Sequence, residues 1–228
     1  MLIDYIINGK RIKLPNIDVL TREEIQVLQE HSSLVSYHKK DVVFRQGTRT
    51  SHVMLVTEGL VKIYKLGKNG KTVMLKLAGP GEFIGMMSIF GDTIHQYSAM
   101  SIMSSEVLFI DFPIFNNVIK NNGEFALKII GDLSKNGLYI FQKLICQAHK
   151  QLPGRVADVL LYFMEVIYKD EKFEMPLTRK ELAELAGTTK ESFIRTLSEF
   201  KNDKIIEMDG TKIEIKSPDI VRVLSQLG

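Results

Sequence analysis

The residues best placed to do chemistry lie in the segment PLTRKELAELAGTTKESFIRTLSEFKNDKII, residues 176–206. Lys190, Glu191, Ile194 and Arg195 fall on one side of a helical repeat whose other side carries Phe193, Leu197 and Phe200. An arginine fork can chelate O6 and N7 of guanine, and a carboxylate can accept from the N4 amine of cytosine. Arg195 and Glu191 therefore have the chemistry of base-edge reading, and their i,i+4 spacing lets the carboxylate hold the guanidinium in place. Arg179, Thr188, Thr189 and Lys190 fall where the phosphates of a bound duplex would lie, and such contacts fix register without reading sequence. The same residue types on a solvated amphipathic helix would form an ordinary ion pair worth a few tenths of a kcal/mol. The surrounding elements decide between these readings.

Thr178 and Glu181 have the spacing of a capping box, which opens a helix over Arg179–Ala186 with Leu182, Leu185 and Ala186 on its apolar face. Gly187 supplies a tight turn, and Thr188 or Thr189 caps a second helix over Lys190–Asn202. IIEMDGTKIEI, residues 205–215, reads as a hairpin turned by Asp209-Gly210. Helix, glycine turn, helix and hairpin in this order form a winged helix-turn-helix. A further helix is expected over residues 155–168, with Val156, Val159, Leu160, Phe163 and Ile167 inward. Before it, Gln151-Leu-Pro-Gly154 reads as a helix-breaking hinge.

Charge adds a constraint. The chain has 228 residues with a formal net charge of +3, from 30 Lys and Arg against 27 Asp and Glu. Residues 151–228 hold 12 and 14 of these, which leaves 18 and 13 for residues 1–150. The segment with base-reading chemistry is thus slightly acidic, and its DNA affinity has to rest on a few placed cations. That acidity also keeps open a different function, an effector-binding module whose helix-turn-helix docks a protein. Cys146 is alone, which excludes an internal disulfide and a cysteine-rich zinc or iron–sulfur site within one chain. The start, MLIDYIINGK, lacks a leader pattern, and no apolar run approaches about 18 residues, so a cytoplasmic protein without membrane contact is expected.

Upstream, TREEIQVLQEH at 21–31 reads as a short helix capped by Thr21 with Glu24. From about residue 34 to 112 short β-rich runs are punctuated by glycines: Val42–Phe44, 52–56, 60–64, 73–77 and 107–110. Such spacing predicts an antiparallel sandwich or barrel. After Pro113 the period becomes helical, with a long helix expected over about 121–149. Ile130, Leu133, Gly137, Ile140 and Leu144 recur at spacings of 3 and 4, a heptad seam suited to a partner helix. Phe125, Ile129, Leu138, Phe141 and Ile145 are available to lie on the barrel. The fold class is α+β.

Over essentially its whole length the chain resembles the Crp–Fnr family of bacterial transcription regulators. The resemblance is carried by FRQGTRTSHVMLVTEGLVKIYK (44–65), PGEFIGMMSIFGD (80–92), the long helix, GRVADVLLYF (154–163) and LTRKELAELAGTTKESFIRTL (177–197). It implies a cyclic-nucleotide-binding-type β-roll (a jelly roll), a dimerising helix and a C-terminal winged helix, over domains 1–150 and 151–228. It further implies a homodimer on double-stranded DNA, with Glu191 and Arg195 as the base-reading pair, TGA-like palindromic half-sites and RNA polymerase as a partner. Ile194 departs from the serine of the Fnr branch.

The same resemblance places a nucleotide cassette at FIGMMSIFGDTIHQYSA, residues 83–99. Met86 stands where a ribose-binding glutamate would be and Tyr97 where the phosphate-binding arginine would be; Gly85 and Ser98 remain, and Ile140 and Phe141 replace the base-contacting pair. Without the arginine a buried phosphate lacks its bidentate clamp, so cyclic AMP at micromolar concentration is expected not to bind. A self-packed pocket, or an unidentified apolar effector near Met86, Met87, Tyr97 and Phe141, is left. No local motif promotes any of the five histidines as a haem or metal ligand, the closest pair in sequence being His31 and His38. No catalytic constellation, metal site or cofactor is expected.

Overall fold

The computed structural model describes residues 5–67 and 70–227; residues 1–4, part of the start read above, lie outside them. The described chain opens with a hairpin, β1 (Tyr5–Ile7) and β2 (Lys10–Ile12), followed by helix α1 (Arg22–Glu30). Eight strands then span Ser32 to Asp111: β3 (Ser32–Tyr37), β4 (Val42–Phe44), β5 (His52–Glu58), β6 (Val61–Leu66), β7 (Thr72–Ala78), β8 (Phe83–Ile84), β9 (Ser98–Ser101) and β10 (Ser105–Asp111). They form two four-stranded sheets ordered β3-β10-β5-β8 and β4-β9-β6-β7. The pairings of β10 with β3 and β5, and of β9 with β4 and β6, are antiparallel, which gives the expected antiparallel roll. A short helix, α2 (Met86–Phe90), interrupts the strands after Gly85.

The described residues group into two compact units: the chain up to Leu66 together with Lys76–Leu138, and Gly67–Leu75 together with Tyr139 onward. A hydrophobic cluster in the first unit joins its sheet to its helices. Val53 and Leu55 of β5 and Leu108 and Ile110 of β10 meet Ile25 and Leu28 of α1 within it. Burying such side chains contributes roughly 1.5–3 kcal/mol each. Thr21 caps α1 as expected, its Oγ1 accepting from Glu24 N at 3.2 Å while Glu24 Oε2 accepts from Thr21 N at 2.8 Å.

The helical region departs from its expected bounds. It starts at Phe112 rather than after Pro113, because proline in the first turn lacks only a donor that has no intrahelical acceptor there. Helix α3 (Phe112–Asn121) stops at Asn122, whose side chain donates to Val19 O and Glu24 Oε2 and accepts from Phe125 N. That last bond caps a 27-residue helix, α4 (Gly123–His149). Phe125 and Ile129 are buried in the first unit's core, but Leu138, Phe141 and Ile145, also expected against the barrel, are 67%, 65% and 51% exposed. With Leu127, Ile130 and Leu144 they extend an exposed apolar face along α4. Of the expected seam, Ile130, Ile140 and Leu144 are exposed, Gly137 has open space around it, and Leu133 is half-buried against the core cluster.

The second unit is built on helix α5 (Leu152–Leu161), with Val156, Ala157 and Leu160 fully buried. Pro153 and Gly154, expected to break the chain, lie inside its first turn, so only Lys150 and Gln151 separate α4 from α5. The expected single helix over 155–168 changes winding, and Tyr162–Tyr168 form a π-helix. Helices α6 (Arg179–Ala186) and α7 (Lys190–Asn202) have the predicted bounds. The hairpin β12 (Ile206–Asp209) and β13 (Lys212–Ile215) pairs Asp209 with Lys212, which places Gly210 and Thr211 in the loop, one position beyond the expected pair. Two elements go beyond those expected: β11 (Lys172–Glu174), which adds a third strand beside β13, and helix α8 (Pro218–Leu227), which packs on α5.

Candidate nucleic-acid interface

The turn between α6 and α7 is fixed at every step by local chemistry. Thr178 Oγ1 accepts from Glu181 N at 3.3 Å and Glu181 Oε2 accepts from Thr178 N at 2.9 Å, so two donors at the start of α6 are satisfied reciprocally. Gly187 has φ of 66°, a left-handed position that suits glycine, and its N–H donates to Ala183 and Glu184 carbonyls. Thr189 is the cap of α7: its Oγ1 accepts from Ser192 N at 3.2 Å and bonds the Ser192 hydroxyl at 3.0 Å. Helix α7 then buries Phe193, Thr196, Leu197 and Phe200 against the unit's core.

Lys190, Glu191, Ile194 and Arg195 are left on the exposed side of α7. Among the described residues no ion pair joins Glu191 to Arg195, which corrects the expected internal pair. An exposed pair gains little in water against the entropy of holding two long side chains, and both heads are left to an external partner. Thr188 is half-buried, with its N–H on Ala183 O at 2.9 Å, and Thr189 stands exposed beside it.

Arg179 does not join this face. Its Nη2 donates to Gly210 O at 2.6 Å and contacts Met208 Sδ at 2.9 Å, while Nη1 is buried with no acceptor among the described residues. Burial pushes its guanidinium pKa down. Its place is as a tie between the first turn of α6 and the hairpin loop, instead of the phosphate contact expected for it. Arg155 was not singled out by sequence. Its Nη1 donates to Gly187 O at 3.0 Å, so it grips the turn ahead of α7. The partners lie 32 residues apart, and no local spacing announces them.

Part of the cassette is packed inward. Gly85, with φ of 79°, precedes α2, and a Cβ there would lie 2.9 Å from Met54 Cε and 3.2 Å from His95 Cε1. Met86 is buried and Met87 exposed. Burial raises the pKa of the Tyr97 hydroxyl, with Ser88 and the Gly85 backbone opposing the rise. Ser98 Oγ accepts from Gln46 N at 2.9 Å. His95 is 3% exposed and stacks on Phe44, with ring centroids 3.8 Å apart and 13° between planes; its Nδ1 has no partner among the described residues, and desolvation lowers its pKa. Ile140 and Phe141 are exposed on α4. His31 pairs in space with His52, not His38, across Asp111 at 3.5 and 3.1 Å. No group of three or more His, Cys, Asp or Glu among the described residues could hold a metal ion.

Comparison with known proteins covers both units. Residues 34–122 match the cyclic nucleotide-binding domain, and residues 154–223 match the Crp-like helix-turn-helix domain. The chain is similar to a CRP-like cAMP-activated global transcriptional regulator of Mycobacterium tuberculosis, at 23% identity over 86% of this chain and 89% of that protein. It is also similar to the transcriptional activatory protein AadR of Rhodopseudomonas palustris, at 26% identity over 89% and 80%. The solved structure of FixK2 from Bradyrhizobium japonicum shares the fold, with a TM-score of 0.78 at 20% identity over 85% of this chain and 96% of that one. No helix among the described residues is long and apolar enough to cross a membrane. Roll, long helix and capped helix-turn-helix occur in one order with the family's two domains, and the chain belongs to the Crp–Fnr family of sequence-specific DNA-binding transcription regulators.

Proposed function

We propose that the chain acts in the cytoplasm as a homodimer that reads a palindrome with two copies of α7, recruits or occludes RNA polymerase, and does not respond to cyclic AMP. The observation that carries the DNA contact is the presentation of Lys190, Glu191, Ile194 and Arg195, exposed on a helix whose start is set by a capped glycine turn. A helix N-terminus in the major groove brings such side chains to base edges, and paired half-sites recur at about 34 Å. The exposed face of α4, with Leu127, Ile130, Leu138, Phe141 and Leu144, supports pairing of two chains along that helix. The relatives are regulators by name, which favours regulation over catalysis.

The reading without cyclic AMP rests on the residues of the cassette. Tyr97 and Met86 stand in place of the charged pair implied by the family, and His95 on Phe44 occupies space behind Gly85. Selection of bound duplexes from a random pool tests the DNA role: a palindrome with TGA-like cores is expected, and binding should fall steeply with salt. Recovery of no common sequence would favour the protein-docking alternative. Calorimetry with cyclic AMP tests the second part, and saturable heat at micromolar ligand would contradict it.

A further inference from the structure

A cavity of about 340 Å³ lies within the second unit, between the last turns of α4, the outer face of α5 and the end of α6. It has the size of a small-ligand site. Its floor is apolar, with Val159, Tyr162, Leu185 and Ala186. Its polar lining is dominated by cations: Lys143, Lys150 and Arg155 against Asp158. Asp158 is already engaged, because Lys150 Nζ donates to both its carboxylate oxygens at 2.8 Å.

The other two cations are incompletely satisfied. Lys143 Nζ donates to Met74 O at 2.8 Å and Leu75 O at 3.1 Å, which leaves one of its three N–H bonds. Burial pushes its pKa down to about 8. Arg155 holds Gly187 O through Nη1, while its Nε is buried with no acceptor among the described residues. A buried donor without an acceptor is costly and marks a place where a partner belongs. A carboxylate or phosphate matches the guanidinium fork. On α4 the cavity residues Tyr139, Lys143 and Cys146 lie on the side of the helix away from Phe141 and Leu144, so pairing along that apolar face leaves the cavity accessible.

We propose that this cavity binds a small organic anion, a carboxylate or phosphate ester on an apolar body, and that Arg155 couples its occupancy to the turn that sets the reading helix. The coupling is geometric: one guanidinium serves both the ligand and the Gly187 carbonyl. Gln147, also in the lining, reinforces it, since its side chain lies within 2.6 Å of where a Cβ on Gly187 would sit. The coupling half rests on α7 being the DNA reader, whereas the binding half does not.

Calorimetry of the full chain with phenyl phosphate, benzoate and inorganic phosphate separates the possibilities. Saturable binding of phenyl phosphate or benzoate is expected at one per chain, with proton uptake near pH 8 as the anion restores the Lys143 charge. Inorganic phosphate, lacking the apolar body, should bind about tenfold more weakly or less, and Lys143→Met should weaken the organic anions about tenfold and abolish the proton uptake. No saturable heat with either organic anion up to about 10 mM, equal binding by Lys143→Met and wild type, or inorganic phosphate binding as tightly as phenyl phosphate would each overturn the site. Phenyl phosphate should also change the affinity of wild type for its selected palindrome, and Lys143→Met should need about tenfold more ligand for the same change; unchanged DNA affinity at saturating ligand would overturn the coupling. Because the calorimetry contains no DNA, its failure leaves the regulator reading intact.

Discussion

The cassette of the roll and the exposed side of α7 place their polar side chains in opposite ways. In the cassette the polar groups turn inward: Tyr97 is buried enough to raise its pKa, Ser98 accepts from the Gln46 amide, and His95 stacks on Phe44. On α7 the heads of Lys190, Glu191 and Arg195 stand in solvent, while the cap, Thr189 with Ser192, is engaged internally. A surface poised for a charged partner keeps its charges unpaired. A cassette without a charged side chain turned to a ligand has little to offer a phosphate.

Substitutions should expose that contrast as stability costs in the cassette and recognition costs on α7. The largest stability loss is expected for His95→Ala, which removes a buried ring stacked on Phe44 and leaves a void: about 2–4 kcal/mol in denaturant unfolding. An unchanged midpoint would mean the pocket is loosely packed. Next come two left-handed glycines. Gly85→Ala and Gly187→Ala should each cost roughly 1–2 kcal/mol from backbone strain. Gly85→Ala should lose more, because its Cβ meets the His95 ring, whereas at Gly187 the nearest atom is the mobile end of Gln147. Glu191→Ala should leave stability within about 0.5 kcal/mol while altering base preference, as checked by thermal unfolding beside binding to half-site variants.

The smallest effect is a pH dependence. Desolvation holds the His95 pKa below its ordinary 6.5, so on acidification the unfolded chain takes up a proton that the folded chain refuses. Stability should therefore fall as pH drops below about 6.5, and His95→Phe should flatten that slope. An identical slope in the variant would place the titration elsewhere.

Legibility in the sequence followed how local each determinant is. The bounds of α6 and α7 came from a capping box, a glycine and a threonine cap, all within four residues of what they control. The turn before α1 was readable for the same reason. Three-residue strands such as β1, β2 and β11 carry too few alternations to stand out, and they exist because partner strands complete their hydrogen bonds. Arg179 and Arg155 show the limit for a site. Both sit in an interface-rich stretch, yet their guanidinium groups go to Gly210 and Gly187, 31 and 32 residues away. The seam on α4 was partly legible: the 3,4 spacing was visible, but which rows of the helix the roll would cover depended on tertiary packing, which took Leu133 inward and left Leu138 and Phe141 out.

The most direct measurement compares wild type and Arg195→Ala by fluorescence anisotropy on a selected palindrome and on a scrambled duplex at the same salt. Loss of the arginine fork should cost about 1–3 kcal/mol of discrimination per half-site. The variant should thus lose most of its preference for the palindrome while its weaker binding to scrambled DNA persists. Wild type binding both duplexes equally, or a variant with undiminished preference, would contradict base reading by α7.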